Sequence, residues 1–195
     1  MTTYDTKTIH NLRWFFKRLN FFMIWMWRLG FRRWVNFWPS VTGRIMVITH
    51  TGRKTGLRRR TPVNYANVGN EIYCTAGLGA ISDWYLNLQA NPQVEIWLPD
   101  SWWAVTAEDL SQDERRIPLL RQVIIASGIV GPLFGVNPRK MTDQEFDHAS
   151  ADYRLIHIRP TQKMSGPGGP GDLAWVWIPI LAILLILVLL PRFIQ

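Results

Sequence analysis

The segment TGRKTGLRRRTP, residues 51–62, combines five cationic side chains with two glycines and has no acidic residue. Glycine lets backbone N–H groups approach a ligand without a side chain in the way. Arginine offers planar, forked donors that fit phosphate or carboxylate oxygens. This pattern predicts a site for an anion with several charged groups, while the charge alone leaves a solvated hairpin tip open as the alternative. The five cations are Arg53, Lys54, Arg58, Arg59 and Arg60.

Motifs of the common hydrolases and metalloenzymes are missing from the sequence. The four histidines do not form HExxH or another metal-ligand spacing, and neither a GxSxG elbow nor a complete Walker loop is present. We therefore expect no metal site and neither hydrolase nor nucleoside triphosphatase chemistry. Cys74 is the one cysteine, which excludes an internal disulfide and a CxxC redox pair, and we expect it to be buried and inert.

The positive charge is concentrated toward the start of the chain. The 195 residues carry +8 at pH 7, but residues 1–60 hold thirteen Lys or Arg against Asp5 alone, a net +12, so the remainder carries −4. Such polarity favours anionic lipid, an acidic ligand or nucleic acid as a partner at one end of the molecule. Because the sequence has no helix-turn-helix, zinc finger or other recognised module, we expect no nucleic acid.

Residues 1–40 predict an amphipathic N-terminal helix. Apolar residues recur at helical spacing from Ile9 to Met26, and a mixture of arginines and aromatic residues continues to Trp38. Cations mixed with aromatic side chains suit the lipid headgroup layer. A membrane-interfacial helix is one interpretation of this segment, and an ordinary helix packed on the domain is the other.

Residues 41–160 predict a single α+β domain. Strand-like runs are separated by short turns, such as NVGN at residues 67–70, which favour antiparallel hairpins. Helices are expected at 82–90 and after capping boxes at Ser111 and Thr142. Antiparallel strands with a few peripheral helices are typical of a small barrel, because closure removes exposed strand edges. The strands are expected at 44–49, 60–66, 71–76, 94–98, 102–107 and 153–158.

The last part of the sequence predicts a linker followed by a membrane anchor. Residues 161–172 are rich in Gly and Pro and predict a flexible linker. The run from Leu173 to Leu190 has eighteen residues without a charge, close to the ~20 residues that a bilayer requires. We expect a transmembrane helix over 173–191, a single-pass anchor that leaves the basic domain on the cytoplasmic side with membrane lipid as a partner.

Two motifs resemble those of the deazaflavin-dependent nitroreductase family. TGRKTGLRRRTPVNY begins at Thr51 and DWYLNLQANPQVEI begins at Asp83, in the order and separation that the family has. The resemblance covers roughly residues 43–160. It implies a split β-barrel, a redox enzyme and reduced 8-hydroxy-5-deazaflavin, coenzyme F420, as the cofactor, with FMN as the alternative. Split barrels of this type often pair, so a homodimer is a further expectation.

The resemblance also implies which residues bind the cofactor. Arg53, Lys54 and Arg59 would bind the phosphate and carboxylates of its tail. Thr55 and Gly56 would contribute backbone N–H donors to the same group. The remaining cofactor contacts implied by the two motifs are Pro62, Ala76, Gly77, Trp84 and Asn87.

These implications predict an oxidoreductase that transfers a hydride from the reduced deazaflavin to a lipophilic acceptor, a quinone first and an enone or nitro compound behind it. Tyr65 is the candidate catalytic residue, as a donor of a proton or hydrogen bond to the reduced product. Nitroimidazole-activating members use a wall of tyrosines, whereas this chain has Asn64 at one such position and no tyrosine in residues 128–139. A non-catalytic deazaflavin or flavin carrier at the membrane is the alternative function. For Trp84, the alternative to a cofactor contact is an ordinary position in the hydrophobic core.

Overall fold

The computed structural model of the protein describes residues 6–133 and 135–193, and its described strands form one closed antiparallel barrel. Around the barrel the order is β1, β2, β3, β6, β5, β4, and pairing of β4 with β1 completes the ring. The antiparallel barrel predicted from the sequence is therefore confirmed. The strands are β1 (Ile45–Thr51), β2 (Arg58–Val68), β3 (Glu71–Ala76), β4 (Gln93–Leu98), β5 (Ser101–Asp109) and β6 (Arg154–Lys163).

Helices surround the barrel, and the capping signals in the sequence located one of them correctly. Thr142 and Glu145 form the expected capping box at the start of α7. The box expected at Ser111 is wrong, because the Ser111 hydroxyl accepts the Leu155 N–H at 3.0 Å and is thereby tied to the barrel. The helices are α1 (Thr6–Arg28), α2 (Arg32–Val35), α3 (Pro39–Thr42), α4 (Asp83–Ala90), α5 (Arg116–Ala126), α6 (Val130–Leu133), α7 (Asp143–Ala149) and α8 (Trp177–Phe193).

The main core lies inside the barrel, where alternate strand residues meet. Met46 and Ile48 of β1 are fully buried there, as is Cys74 of β3. Burial raises the pKa of the Cys74 thiol, which agrees with the inert thiol expected from the sequence. Tyr85 and Leu88 of α4 belong to the same core, so this helix covers one end of the barrel.

An aromatic cluster on the outside of the barrel holds α1 in place. Trp27 of α1 is fully buried against Val47, Trp97 and Trp102, and the Trp27 and Trp97 ring centroids lie 6.4 Å apart. We call these four residues the outer tryptophan cluster. The end of α1 is thus packed on the domain.

The Gly/Pro-rich segment after β6 also packs on this cluster. β6 itself continues to Lys163, so the predicted linker begins as strand. Gly169 lies so close to Trp102 that an added Cβ would stand 2.6 Å from its ring. Asp172 accepts hydrogen bonds from the Arg28 guanidinium, the shortest at 2.8 Å. The segment therefore joins the C-terminal residues to α1.

The transmembrane helix predicted for residues 173–191 is wrong. Among the described residues, no helix has both the length and the apolar character that crossing a bilayer requires. Leu173 donates its N–H to the Arg28 carbonyl at 3.0 Å and Trp177 donates its Nε1–H to the Leu29 carbonyl, so α8 begins only at Trp177. Its 17 residues span roughly 26 Å, short of the ~30 Å hydrocarbon core. The predicted anchor and its localisation are corrected accordingly, and membrane lipid as a partner lacks support.

Candidate functional site

The cationic motif forms a tight turn between β1 and β2, which we call the basic loop (residues 52–57). The Gly52 N–H donates to the Leu57 carbonyl at 2.9 Å, and the Gly52 carbonyl accepts from Thr55 and Gly56 at 3.1 and 2.8 Å. Gly56 has φ +66°, a conformation that L side chains rarely adopt. The N–H groups of Thr55 and Gly56 therefore hold the turn together, and the side chains of the loop are left to contact a ligand.

Two of the five cations lie on the outer face of the barrel. Arg58 forms an ion pair with Glu95 of β4, with 2.5 Å between Nη2 and Oε2. The Arg60 guanidinium lies over the Trp97 ring, 4.7 Å from its centroid, and burial lowers the pKa of Arg60. These two side chains therefore already have partners on the side of the outer tryptophan cluster.

Arg59 and Lys54 are the cations without such partners. Arg59 pairs directly with His50 across β1 and β2, so both side chains leave the sheet on the opposite face from Arg58 and Arg60. Within the described part of the chain, neither Lys54 nor Arg59 has a carboxylate partner. A Cβ added to Gly52 would stand 2.9 Å from Arg59 Nε, so the glycine makes room for this guanidinium.

Arg53 connects the basic loop to helix α4. Its backbone N–H and its Nη1 donate to Asn87 Oδ1 at 3.0 and 3.1 Å. Nη1 also donates to Asp83 Oδ1 at 3.1 Å, but the Asp83 side chain is 85% exposed. The Asp83 carboxylate is thus well solvated, and Asn87 is the buried contact that fixes Arg53 beside α4.

A buried hydrogen-bond chain continues inward from this contact. Asn87 Nδ2 lies 3.1 Å from His50 Nδ1, and His50 Nε2 lies 3.1 Å from Thr61 Oγ1. Asn87 and His50 are 3% and 4% exposed. Burial, with a further contribution from the Arg59 charge, lowers the pKa of His50 to about 4. His50 is therefore neutral at physiological pH.

The loop after β3 and the start of α4 form the other wall of this region. Ala76, the last residue of β3, is buried, and Gly77 lies near the Tyr153 ring. Gly79, at φ +58°, lies so close to the Asp152 carbonyl that an added Cβ would stand 2.2 Å from the oxygen. Trp84 is half-buried against the barrel core. Part of its ring thus serves the core, as the alternative interpretation expected, and part of it remains accessible.

Tyr65 lies at the other end of β2 from the basic loop. Six residues separate it from Arg59 along the strand, a distance of roughly 20 Å. Tyr65 is 7% exposed and borders an open surface pocket of about 290 Å³ together with Asn36 and Arg44. Burial raises the pKa of its phenol, so the hydroxyl stays protonated at neutral pH.

The structure thus brings together only part of the residues expected at the site. Arg53 contacts Asn87 at one end of the barrel, and Lys54 and Arg59 lie in the loop and strand at that same end, with Ala76, Gly77 and Trp84 on elements that close it. Pro62 pairs with Val47 of the outer tryptophan cluster and faces the other side of the sheet. Tyr65 lies apart from both groups.

The sequence did not indicate three residues that the structure places in this region: His50, Thr61 and Asp83. His50 continues the alternation of Met46 and Ile48, which was the available signal that it points into the barrel. Thr61 and Asp83 lie within the two quoted motifs, but nothing in their spacing indicated their partners.

The residues at this end of the barrel fit an anionic group. Arg53 contacts α4, Lys54 lies in the same loop and Arg59 in the adjoining strand. Among the described residues, the one carboxylate paired with any of these cations, that of Asp83, is largely solvated. Gly52 allows the Arg59 guanidinium to pack against the loop, where a Cβ would clash with it. This donor set suits phosphate and carboxylate oxygens, which agrees with the tail of a deazaflavin cofactor.

Comparison with known families supports the same cofactor. Residues 32–127 match the family model described as F420H2-dependent quinone reductase. The matched residues include both motifs on which the resemblance rested, so that recognition is confirmed. The family implies coenzyme F420 as the cofactor, as predicted.

Solved structures provide more distant likenesses. An F420-H2 dependent reductase, FDR-A, is 22% identical over 60% of this chain and 93% of its own, with a TM-score of 0.44. The conserved hypothetical protein Rv2991 of Mycobacterium tuberculosis is 19% identical over 70% of this chain and 91% of its own, also at 0.44. HutZ, a haem storage protein of Vibrio cholerae, is 17% identical over 74% and 99%, at 0.42.

Proposed function

Residues 32–127 belong to the F420H2-dependent quinone reductase family, and from that premise we propose that the protein reduces a quinone with electrons from reduced coenzyme F420. The protein is an oxidoreductase in its general class. The family description names a quinone, which is the preferred candidate acceptor. An enone or a nitro compound is a less favoured candidate.

The observation that supports this proposal most directly is the division of the cationic motif between two faces. Arg58 and Arg60 have partners on the outer face, whereas in the part of the chain that the structure describes Lys54 and Arg59 have no carboxylate partner. A merely solvated hairpin tip would not require Arg53 to be fixed by the buried amide of Asn87. The arrangement is that of a preorganised anion site.

The roles of the chain's own residues follow from their positions. When bound, the reduced deazaflavin supplies a hydride, and a quinone that also takes up a proton becomes a quinol. Arg53, Lys54 and Arg59 would bind the anionic tail of the cofactor. Trp84 offers an accessible part of its ring as an apolar surface, and α4 excludes water from the barrel end on which it packs.

Tyr65 is the proposed proton or hydrogen-bond donor to the acceptor. Its raised pKa keeps the hydroxyl protonated, and it borders an open surface pocket that is the proposed place for the acceptor. Because roughly 20 Å of β2 separates it from Arg59, its role concerns the acceptor and not the cofactor tail.

An anaerobic assay tests the proposed function. Purified full-length protein is mixed with reduced coenzyme F420 and a menaquinone analogue, and oxidation of the cofactor is followed by absorbance. We expect oxidation that requires both protein and quinone. The proposal would be rejected if no quinone, enone or nitro compound supports cofactor oxidation.

A non-catalytic carrier of the same cofactor is the second candidate. It is favoured by the separation of Tyr65 from the basic loop, because a carrier needs only the tail contacts. Saturable binding without turnover in the assay above would identify it. Homodimer formation stays a prediction, which light scattering of the purified protein tests.

A further inference from the structure

The amide of Asn87 has one orientation that satisfies all its neighbours. Its oxygen faces the backbone N–H and the guanidinium of Arg53, and both of those groups can only donate. Its NH2 group must therefore face His50 Nδ1, 3.1 Å away. Reversing the amide would place its NH2 group against both Arg53 donors, which cannot accept a hydrogen bond.

The orientation of Asn87 in turn fixes the proton on His50. Nδ1 has to accept from Asn87, so the neutral ring carries its hydrogen on Nε2 and donates it to Thr61 Oγ1. A doubly protonated ring would place an N–H against the NH2 group of Asn87. Arg53, from the loop, and Arg59, from β2, add positive charge near the same ring. The positive charge thus favours the neutral ring, and the hydrogen-bond geometry favours its Nε2–H tautomer.

We propose that His50 is a positioning residue for cofactor binding: as the neutral Nε2–H tautomer it orients the Asn87 amide, and Asn87 holds Arg53 of the basic loop beside α4. His50 itself does not touch the cofactor, because it is buried behind Asn87. Asn87, which the sequence motif suggested as a direct contact, then acts through Arg53. This inference rests on the proposed function only for the identity of the ligand.

Nitrogen NMR of the full-length protein tests the tautomer without any variant. Histidine labelled with ¹⁵N is followed from about pH 8 to pH 5, across the ordinary range of histidine titration. We expect His50 to show an unprotonated Nδ1 and a protonated Nε2 throughout. A protonated Nδ1 at neutral pH would overturn the proposal.

Two substitutions at the same position test the effect on the loop. In His50→Asn, the side-chain oxygen can replace Nδ1 as the acceptor for Asn87. In His50→Leu, a side chain of similar size leaves the Asn87 NH2 group without a partner. We expect coenzyme F420 to bind about tenfold or more weakly to His50→Leu, and His50→Asn to restore most of the wild-type affinity. Equal affinities of His50→Leu and the wild type, or equal losses in both variants, would overturn the proposal.

Amide hydrogen exchange of Arg53 separates this inference from the proposed function. The Arg53 N–H donates to Asn87 in the wild type, so we expect its exchange to be slow, to accelerate in His50→Leu and to stay slow in His50→Asn. This measurement uses no cofactor. If the wild type fails to bind coenzyme F420 while this exchange pattern holds, the proposed ligand is wrong and the positioning role of His50 stands. Unchanged exchange in His50→Leu would refute the role itself.

Discussion

Arg28 and Asp172, which are 144 residues apart in the sequence, are joined by three hydrogen bonds between guanidinium and carboxylate. Their side chains are 28% and 13% exposed. The hydrogen bond to Asp172 raises the pKa of Arg28. The pair therefore links the end of α1 to the segment that precedes α8.

Replacing Asp172 by Ala should destabilise this link. Loss of a charge-assisted, partly buried pair is expected to lower the free energy of unfolding by about 2 kcal/mol. Urea unfolding measures the change. Asp100→Ala is the matched control, because the pair of Asp100 with Arg33 is largely exposed and should contribute under ~1 kcal/mol. Equal effects of the two substitutions would contradict a stabilising role for the partly buried Arg28–Asp172 pair.

Replacing Arg53 and Lys54 together by Ala should weaken binding of coenzyme F420. Charge-assisted hydrogen bonds contribute roughly 1.5 to 3 kcal/mol each, so a loss of several kcal/mol is expected in a fluorescence titration. Arg58→Ala removes a cation of the same motif on the outer face, and its affinity should stay near that of the wild type. A similar loss in Arg58→Ala would show that net charge alone, and not the arrangement, attracts the ligand.

Tyr65→Phe should separate turnover from cofactor binding. Removal of a general acid is expected to lower kcat with a quinone by about 10²-fold. Affinity for the cofactor should change little, because Tyr65 lies roughly 20 Å along β2 from Arg59. Tyr73→Phe, on the outer face where Tyr73 stacks on His157, serves as the control and should retain its kcat. An unchanged kcat in Tyr65→Phe would remove the catalytic assignment.

Stability should fall as the pH decreases from about 6.5 to 4 because of His50. Its pKa is lowered to about 4 in the folded protein, whereas the unfolded chain titrates near the ordinary value of 6.5. Between these values the unfolded state binds more protons, so acid favours unfolding, by roughly 3 kcal/mol over the full window. Above pH 6.5 the titration of His50 does not change the free energy of unfolding.

Urea unfolding at a series of pH values measures this dependence. His50→Asn has no titrating group at the position, so its stability should vary less between pH 6.5 and 4 than that of the wild type. The Asp113 carboxylate, whose pKa is lowered to about 2 by its hydrogen bonds to Arg115, titrates below this window. Identical slopes for the variant and the wild type would show that other groups cause the dependence.

The barrel could be predicted from sequence because its signals are local. Alternating apolar residues in strands such as β1 and turn residues such as NVGN specify hairpins, and hairpins in succession favour an antiparallel barrel. The C-terminal helix was misjudged for the opposite reason. Its apolar length resembled a membrane span, but Leu173 and Trp177 bind the carbonyls of Arg28 and Leu29 and the helix begins only at Trp177. Contacts between residues so far apart in sequence leave no local pattern.

The candidate site was predicted in part. Two motifs identified Arg53, Lys54 and Arg59, because residue type and spacing suffice to indicate an anion site. Arg58 and Arg59 lie on opposite faces because of the register between β1 and β2. That register could not be predicted from the sequence. The chain from Arg53 to His50 depends on how α4 packs on the barrel, which is a tertiary property.

The closeness of Gly169 to Trp102 has a practical consequence for anyone who shortens this protein. Cleavage just after Lys163 would uncover indole rings that now pack against Gly169 and Met164. Exposure of this aromatic surface to water promotes aggregation and shifts the tryptophan fluorescence emission to longer wavelengths. A truncated variant that is to stay free of aggregation should therefore retain the residues through Asp172.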